Sequence, residues 1–296
     1  MGSDPLYFAY GQNLNEADLR SWCQNRGYLY PLKEKVANAY LPDTRIVFNC
    51  FSPHLRGGAL NITYHLGHVT PGVLFRVNTG GWETLDAKGE EENMYKHLNI
   101  IALTEDGCEH VATAYQIRTD KKKGDFFTPD RAYLQTLREG LKSHGFDDYI
   151  LNTVAAGEEP PYLIAHLFVY GTLMRDEPRH PLLTKWADTS RRREAEAPGI
   201  LYDSGKGFPC MVPDVTGRGR VKGEIYPIRD PKKAFETLDI YETARRYRET
   251  ETFLRRAIVR TVTKEGESLL AWAYFAESSV DGMAQITSGD WRRVSP

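Results

Sequence analysis

The chain has 296 residues, of which 41% are hydrophobic and 11% aromatic, enough apolar material for two cores of about 140 residues each. Its 38 basic and 40 acidic residues balance to a net charge of −2, without the basic excess of a nucleic-acid-binding or membrane-surface protein. Seventeen tyrosines and 12 phenylalanines set it apart from disordered chains, which are poor in aromatic residues.

The four cysteines, Cys23, Cys50, Cys108 and Cys210, are scattered without a C-x-x-C pair, the pattern expected of reduced thiols in a cytosolic protein. The opening MGSDPLYFAY has neither a basic n-region nor a long apolar stretch, so no signal peptide is expected. No run of 18 apolar residues predicts a membrane span.

In chain order, residues 7–14, YFAYGQNL, predict an aromatic strand running into Tyr10-Gly11 and a polar turn. A glycine opens the β-rich run PGVLFRV (71–77), and Leu85-Asp86 closes a helix ahead of a glutamate-bearing turn in LDAKGEEENMY (85–95). ATAYQI (112–117) predicts a strand that carries Tyr115. Residues 129–154 read as a helical stretch, with Asp130 as cap and Tyr133, Leu134, Leu137 and Leu141 at helical spacing. NTVAAGEEPPYL (152–163) has no periodicity and reads as a linker. The basic runs Lys121–Lys123 and Arg191–Arg193 adjoin acidic or turn residues and read as solvated loops or helix ends.

The same landmarks then return. LFVYGTLM (167–174), VKGEIYPI (221–228), LDIYETARRYRE (238–249) and LLAWAYFAE (269–277) follow in the original order. Counted from the turn tyrosine, Gly72, Leu85 and Tyr115 lie at +62, +75 and +105, and Gly223, Leu238 and Tyr274 at +53, +68 and +104. Four landmarks in order at similar spacing indicate an internal duplication. GRGRVKG (217–223) reads as a turn entering a strand, and Glu265-Gly266-Glu267 as a hairpin turn. Each half is therefore expected to be a curled sheet or small barrel with a few helices, α+β in class.

Two features could carry chemistry. Glu242 falls where the helix begun near DPKKAFETL ends, with Ala234, Leu238 and Tyr241 sharing a face and Leu238 in the core. A carboxyl desolvated beside aromatic residues is a better proton acceptor at neutral pH; a surface carboxylate paired with Arg245 or Arg246 is the alternative. The Tyr-Gly-Thr-Leu turn can aim consecutive N–H groups at a carboxylate or oxyanion, or be an ordinary turn. His65, His68 and the run Glu90–Glu92 are the candidate metal ligands; they lack a matching ligand set, so no metal site is expected and the histidines read as polar surface or loop residues. No phosphate-binding or dinucleotide motif follows a strand. A cysteine hydrolase would need a Cys/His pair that spacing does not reveal.

LFVYGTLM, GFPCMV (207–212), VKGEIYPI, LDIYETARRYRE and SGDW (288–291) together resemble the gamma-glutamylcyclotransferase-like superfamily, on the branch of gamma-glutamylamine cyclotransferases and AIG2-like proteins. YFAYGQNL, GGALNI (57–62), PGVLFRV and residues 129–150 are similar to its gamma-glutamylcyclotransferase branch. The resemblance implies two tandem small mixed β-barrels with flanking helices: residues 5–154, a linker at 155–163, and residues 164–296. It also implies no cofactor, a small-molecule γ-glutamyl substrate, and release of 5-oxoproline and a free amine. Glu242 would be the general acid/base, with Tyr170, Gly171, Thr172 and Leu173 as the substrate loop and Tyr247 and Tyr274 as pocket walls.

In the first copy the corresponding substrate-binding positions are Tyr10, Gly11, Gln12, Asn13, Leu14 and Tyr115. Four residues after Leu238 comes Glu242, but four after Leu85 comes Gly89, leaving Glu90 as the substitute carboxylate. Gln12 stands where the branch usually has serine, so the first copy is expected to be impaired or repurposed. The alternative reading of the whole chain is a non-catalytic tandem binding or scaffold protein that retains the fold.

Overall fold

The computed structural model describes all residues except 1–4, 90–92, 123, 125, 215, 243–253, 278, 295 and 296, and of Glu242 it describes the backbone alone. The chain divides into two compact units, residues 1–102 with 110–163, and residues 103–109 with 164–296.

In the first unit the elements are β1 (Leu6–Ala9), α1 (Glu16–Arg26), β2 (Leu32–Ser52), β3 (Gly57–Val77), α2 (Gly81–Gly89), β4 (Tyr95–Leu103), β5 (Glu109–Ile117), α3 (Arg131–Ser143) and α4 (Tyr149–Ala155). The strands close into a barrel in the order β1-β3-β2-β4-β5, sealed where Leu6 and Tyr7 pair in parallel with Ala112 and Thr113. The second unit adds β6 (His166–Val169), α5 (His180–Thr184), β7 (Arg193–Pro198), β8 (Ile200–Asp203), β9 (Pro209–Val212), β10 (Arg220–Pro227), α6 (Pro231–Glu242), β11 (Leu254–Thr263), β12 (Ser268–Ala276) and β13 (Ala284–Gln285). Its barrel, in cyclic order β6-β10-β7-β11-β12, matches the first strand for strand, and β13-β8-β9 form a separate small sheet. The fold is α+β, with two closed five-stranded barrels, as the duplicated pattern predicts. Among the described residues no helix is long and apolar enough to cross a membrane.

The landmark glycines have a shared steric cause. A Cβ on Gly72 would sit 2.4 Å from the Ala9 carbonyl oxygen and 2.6 Å from the Phe8 ring. On Gly223 it would sit 2.2 Å from the Val169 oxygen and 2.7 Å from Phe168. Both glycines let β3 and β10 pass over a buried phenylalanine of the barrel's first strand. Phe8, Leu74 and Phe75 fill one core, and Phe168, Ile225 and Phe275 the other. Each such side chain contributes about 1.5–3 kcal/mol on burial.

The helical stretch at 129–154 is two helices. The Asp130 carboxylate accepts from the N–H groups of Ala132 and Tyr133 at 2.8 and 3.3 Å, capping α3 as expected. Tyr133, Leu137 and Leu141 are buried and Leu134 packs at the core's edge. The chain then leaves the helix through Gly145 at φ 79°, a left-handed conformation that favours glycine, and re-enters helix at Tyr149.

The basic run 191–193 lies at a helix end, as expected, with Arg191 exposed at the close of the 3₁₀ turn Thr189–Arg191, but the next residue departs from expectation. Arg192 is not a solvated loop residue: its guanidinium donates to Glu224 at 2.7 Å. Glu224 is fully buried and also accepts from the Arg175 N–H, the Tyr226 hydroxyl and Arg292, at 2.7, 2.7 and 3.0 Å. Burial pushes this carboxyl's pKa up, but the Arg175 N–H, the Tyr226 hydroxyl and the Arg292 guanidinium outweigh it and leave the pKa below the ordinary value.

Candidate functional site

Each barrel carries a pocket over its first strand-turn, built by the same internal bonds. The Tyr10 hydroxyl donates to the Tyr115 carbonyl at 2.6 Å, and the Tyr170 hydroxyl to the Tyr274 carbonyl at 2.5 Å. Each turn tyrosine thus fastens the end of the first strand to the barrel's last strand. The partner tyrosine is then held by the aspartate of the Leu-Asp landmark. Tyr115 donates to Asp86 at 2.5 Å, and Tyr274 to Asp239 at 2.7 Å. The aspartate's further partner is His97 in the first barrel and Arg256, at 3.0 Å, in the second. In the sequence the Leu-Asp pair marks a helix end and its aspartate carries no assigned role. The signal was present, since Asp follows Leu in both copies.

The second pocket is lined by Tyr170, Gly171, Thr172 and Leu173, with Phe208, Pro209, Tyr241 and Tyr274 among its walls. The carbonyls of Gly171, Thr172 and Leu173 are all engaged. Gly171 accepts from the Met174 N–H at 2.9 Å, Thr172 from the Arg179 N–H at 2.8 Å, and Leu173 lies 3.1 Å from His180 Nδ1. Across each planar peptide the N–H points opposite to the C=O. The N–H groups of Thr172 and Leu173 have no acceptor among the described residues. Two adjacent unpaired donors on a pocket floor can receive a carboxylate or a developing oxyanion.

Gly171 is required sterically, because a Cβ there would lie 2.6 Å from Pro209 Cγ. Leu238 is fully buried, as expected, while Tyr241 is largely exposed and contributes to the pocket. Glu242 is the last residue of α6, one position beyond Tyr241, and its side chain lies outside the described residues, as do Tyr247, Arg245 and Arg246.

The first pocket is lined by Tyr10, Gly11, Gln12, Asn13 and Tyr115, with Tyr7, Tyr95 and Tyr133 around them. Burial raises the pKa of these last three phenols and of Tyr10, to about 12 for Tyr7 and Tyr133, so they stay protonated at neutral pH. Leu14 does not line the pocket: the 3₁₀ turn bonding the Leu14 N–H to the Gly11 carbonyl directs Leu14 into the core, against Gly140 of α3. Gln12 donates from Nε2 to Asp18 at 2.8 Å, which ties the turn to α1.

At Gly89 a Cβ would meet the Tyr115 ring at 3.0 Å, so this position faces the pocket but carries no side chain. Its neighbour Lys88 lines the pocket instead, nine-tenths buried, 4.9 Å from the Trp22 ring and 3.9 Å from Asp18. Glu90, with Glu91 and Glu92, lies outside the described residues.

His65 and His68 depart from the surface-or-loop expectation. His68 is 4% exposed, and Glu159 brings the two imidazoles and a carboxylate within 4.8 Å of one another. Spacing hid this set because Glu159 comes from the stretch read as linker. Arg45 is paired to that carboxylate and His68 stacks near Tyr162, contacts that fasten the 159–162 segment to its own barrel.

Fold and site define a pair of α+β barrels, each with a pocket over its first strand-turn. Residues 167–293 match the family model described as gamma-glutamyl cyclotransferase, AIG2-like, so the second barrel is similar to that family along nearly its whole length. No curated protein matches the chain. Among solved structures, one described as gamma-glutamyl cyclotransferase is 23% identical, over 53% of this chain and 89% of that one, with a TM-score of 0.42. An uncharacterized protein from Homo sapiens is likewise 23% identical, over 53% and 88%, with a TM-score of 0.42. YkqA from Bacillus subtilis is 27% identical, over 43% of this chain and 39% of its own, with a TM-score of 0.34.

Proposed function

We propose that the second barrel is a cytosolic cyclotransferase that releases 5-oxoproline and a free amine from a γ-glutamyl amine or amide. The observation that carries this reading is the turn lining the second pocket, where the N–H groups of Thr172 and Leu173 have no acceptor among the described residues and Tyr241, near the end of α6, lines the same cavity. The family match over residues 167–293 supports it. In this reading Glu242 accepts a proton from the substrate's α-ammonium. The freed amine attacks the γ-carbonyl carbon, the floor N–H groups receive the oxyanion, and the C–N bond to the leaving group breaks as Glu242 returns the proton to the departing nitrogen. The ring nitrogen, still carrying one proton too many after the attack, gives it up to the departing amine as the lactam forms. Nucleophile and electrophile belong to one molecule, so rate comes from holding the folded conformer and moving the two protons that leave the α-nitrogen. Tyr170, Gly171, Tyr247 and Tyr274 complete the pocket.

The chain is then a tandem of residues 5–154 and 164–296, with 155–163 between, and the first domain is an altered site. Gly89, where a side chain would face Tyr115, supports that assignment, as does Lys88 in its pocket. Both features favour binding without turnover in the first barrel, the second reading. Glu90 is the residue that would restore chemistry there.

The test is 5-oxoproline release over a panel of γ-glutamyl amines, dipeptides and glutathione by wild type, Glu242→Gln and Glu90→Gln. Glu242→Gln is expected to lose activity by roughly 10²–10⁴-fold, as for removal of a general acid/base. Full activity in that variant rejects Glu242, and silence of the wild type across the panel favours the tandem binding protein.

A further inference from the structure

The second pocket is lined by two cations, Arg179 and Lys206, that the reading so far leaves unused, and of the two Arg179 is the one bonded to the substrate turn. Arg179 lines it, half-buried, with its guanidinium carbon 5.9 Å from the Phe208 ring. The residue is held in place by the substrate turn, since its N–H donates to the Thr172 carbonyl at 2.8 Å and the adjacent His180 ring engages the Leu173 carbonyl. Among the described residues the guanidinium has neither a carboxylate partner nor a hydrogen-bond acceptor. That separates it from Arg192, Arg256 and Arg292, each committed to a carboxylate within this unit.

A partly desolvated guanidinium is costly unless its fork of donors is filled, and the group that fills it best is a planar carboxylate taken up through two parallel N–H···O bonds. The Phe208 ring lowers the local dielectric and strengthens such a bond. Because Arg179 is bonded to the same turn that supplies the floor N–H groups, an anion on Arg179 and a carbonyl on the floor would be fixed relative to one another. The first barrel shares the bond closing the turn, Leu14 N–H to Gly11 as Met174 to Gly171, but there the Asn15 N–H closes on the Gln12 carbonyl, and a cation in its pocket is Lys88, from α2.

We propose that Arg179 is the carboxylate-binding residue of the second pocket, positioning the substrate by a carboxylate it carries. The inference rests on the cyclotransferase reading of that pocket. Two groups on a γ-glutamyl compound offer this chemistry, the α-carboxylate of the glutamyl moiety and a carboxylate on the leaving amine.

The experiment compares the full chain with Arg179→Gln and Arg179→Lys on three substrates. These are γ-glutamyl-alanine, with both carboxylates, γ-glutamyl-ethylamide, with the α-carboxylate alone, and the α-amide of γ-glutamyl-alanine, with the leaving-side carboxylate alone. Arg179→Gln is expected to raise KM by about 10- to 100-fold, with little change in kcat, for every substrate that retains the recognised carboxylate. The substrate lacking it should bind poorly to wild type and be indifferent to the substitution, and Arg179→Lys should recover part of the loss. The identity of the indifferent substrate names the source. A KM within 2-fold of wild type on all three substrates, with 5-oxoproline still released, overturns the proposal.

If wild type releases no 5-oxoproline, the cyclotransferase reading fails and Arg179 is judged by calorimetric binding. Glutarate, a dicarboxylate, is then expected to bind at least about 10-fold more tightly than glutaramide, its uncharged diamide, and to lose that advantage in Arg179→Gln. Equal binding of the two compounds overturns the proposal independently of turnover.

Discussion

Replacing Gly171 by alanine adds one methyl group at the floor of the second pocket, and the structure fixes what that methyl meets. It would lie 2.6 Å from Cγ and 2.7 Å from Cδ of Pro209. Reaching an ordinary carbon–carbon separation near 3.5 Å requires roughly 0.9 Å of movement. Pro209 is a ring at the start of β9, held in register by Asp203 of β8, so the turn must give way. Overpacking of this kind costs about 1–3 kcal/mol, expected as a fall of about 3–10 °C in the unfolding midpoint of the second unit.

The floor N–H groups move with the turn, and a displacement near 1 Å can cost on the order of 10²-fold in rate. Gly11→Ala is the internal control. Its Cβ would lie 3.5 Å from Leu60, ordinary contact, and Gly11 has φ −123°, which any residue adopts. That variant should stay within about 0.5 kcal/mol of wild type. Calorimetric scans and 5-oxoproline release on both variants check the pair. An unchanged Gly171→Ala, or a Gly11→Ala that is equally damaged, refutes the steric account.

Two further outcomes concern buried ionisable groups. Glu224→Gln keeps the shape but turns an amide donor toward donors and leaves Arg192 and Arg292 without their carboxylate, at an expected cost of about 3–5 kcal/mol by denaturant titration of the second unit. Because the folded carboxyl titrates below its unfolded value, the wild type should lose this stabilisation only as pH falls beneath that value, whereas the variant lacks it throughout. His68 behaves as a buried neutral imidazole: burial first, then His65 and Arg45, push its pKa down to about 4. Between the unfolded value near 6.5 and about 4 the unfolded chain binds the extra proton, so the first unit should lose stability as pH falls through this window. His68→Phe should flatten that slope in urea titrations at pH 7, 5.5 and 4.5; an unchanged slope assigns it to other groups.

Much was readable from the chain alone. The repeated Tyr-Gly turn, the glycines at 72 and 223, the Leu-Asp helix ends and the strand tyrosines recur because each is a steric or hydrogen-bonding necessity of one barrel, and such necessities fix residue type and order. Asp130 as a cap, the core place of Leu238 and the α+β class follow from local rules of the same kind. The break at Gly145 was less legible, because apolar spacing continues across it while backbone conformation does not.

What only the tertiary structure decided is which side chains meet. Asp86 and Asp239 grip the pocket tyrosines, Arg192 and Arg292 converge on Glu224, and Glu159 closes on His65 and His68. These pairs are separated by 29 to 94 residues along the chain. The guanidinium of Arg179, without an acceptor among the described residues, belongs with them. Sequence supplies a charge, but whether that charge is already satisfied depends on every acceptor the fold brings within 4 Å, which no spacing along the chain encodes.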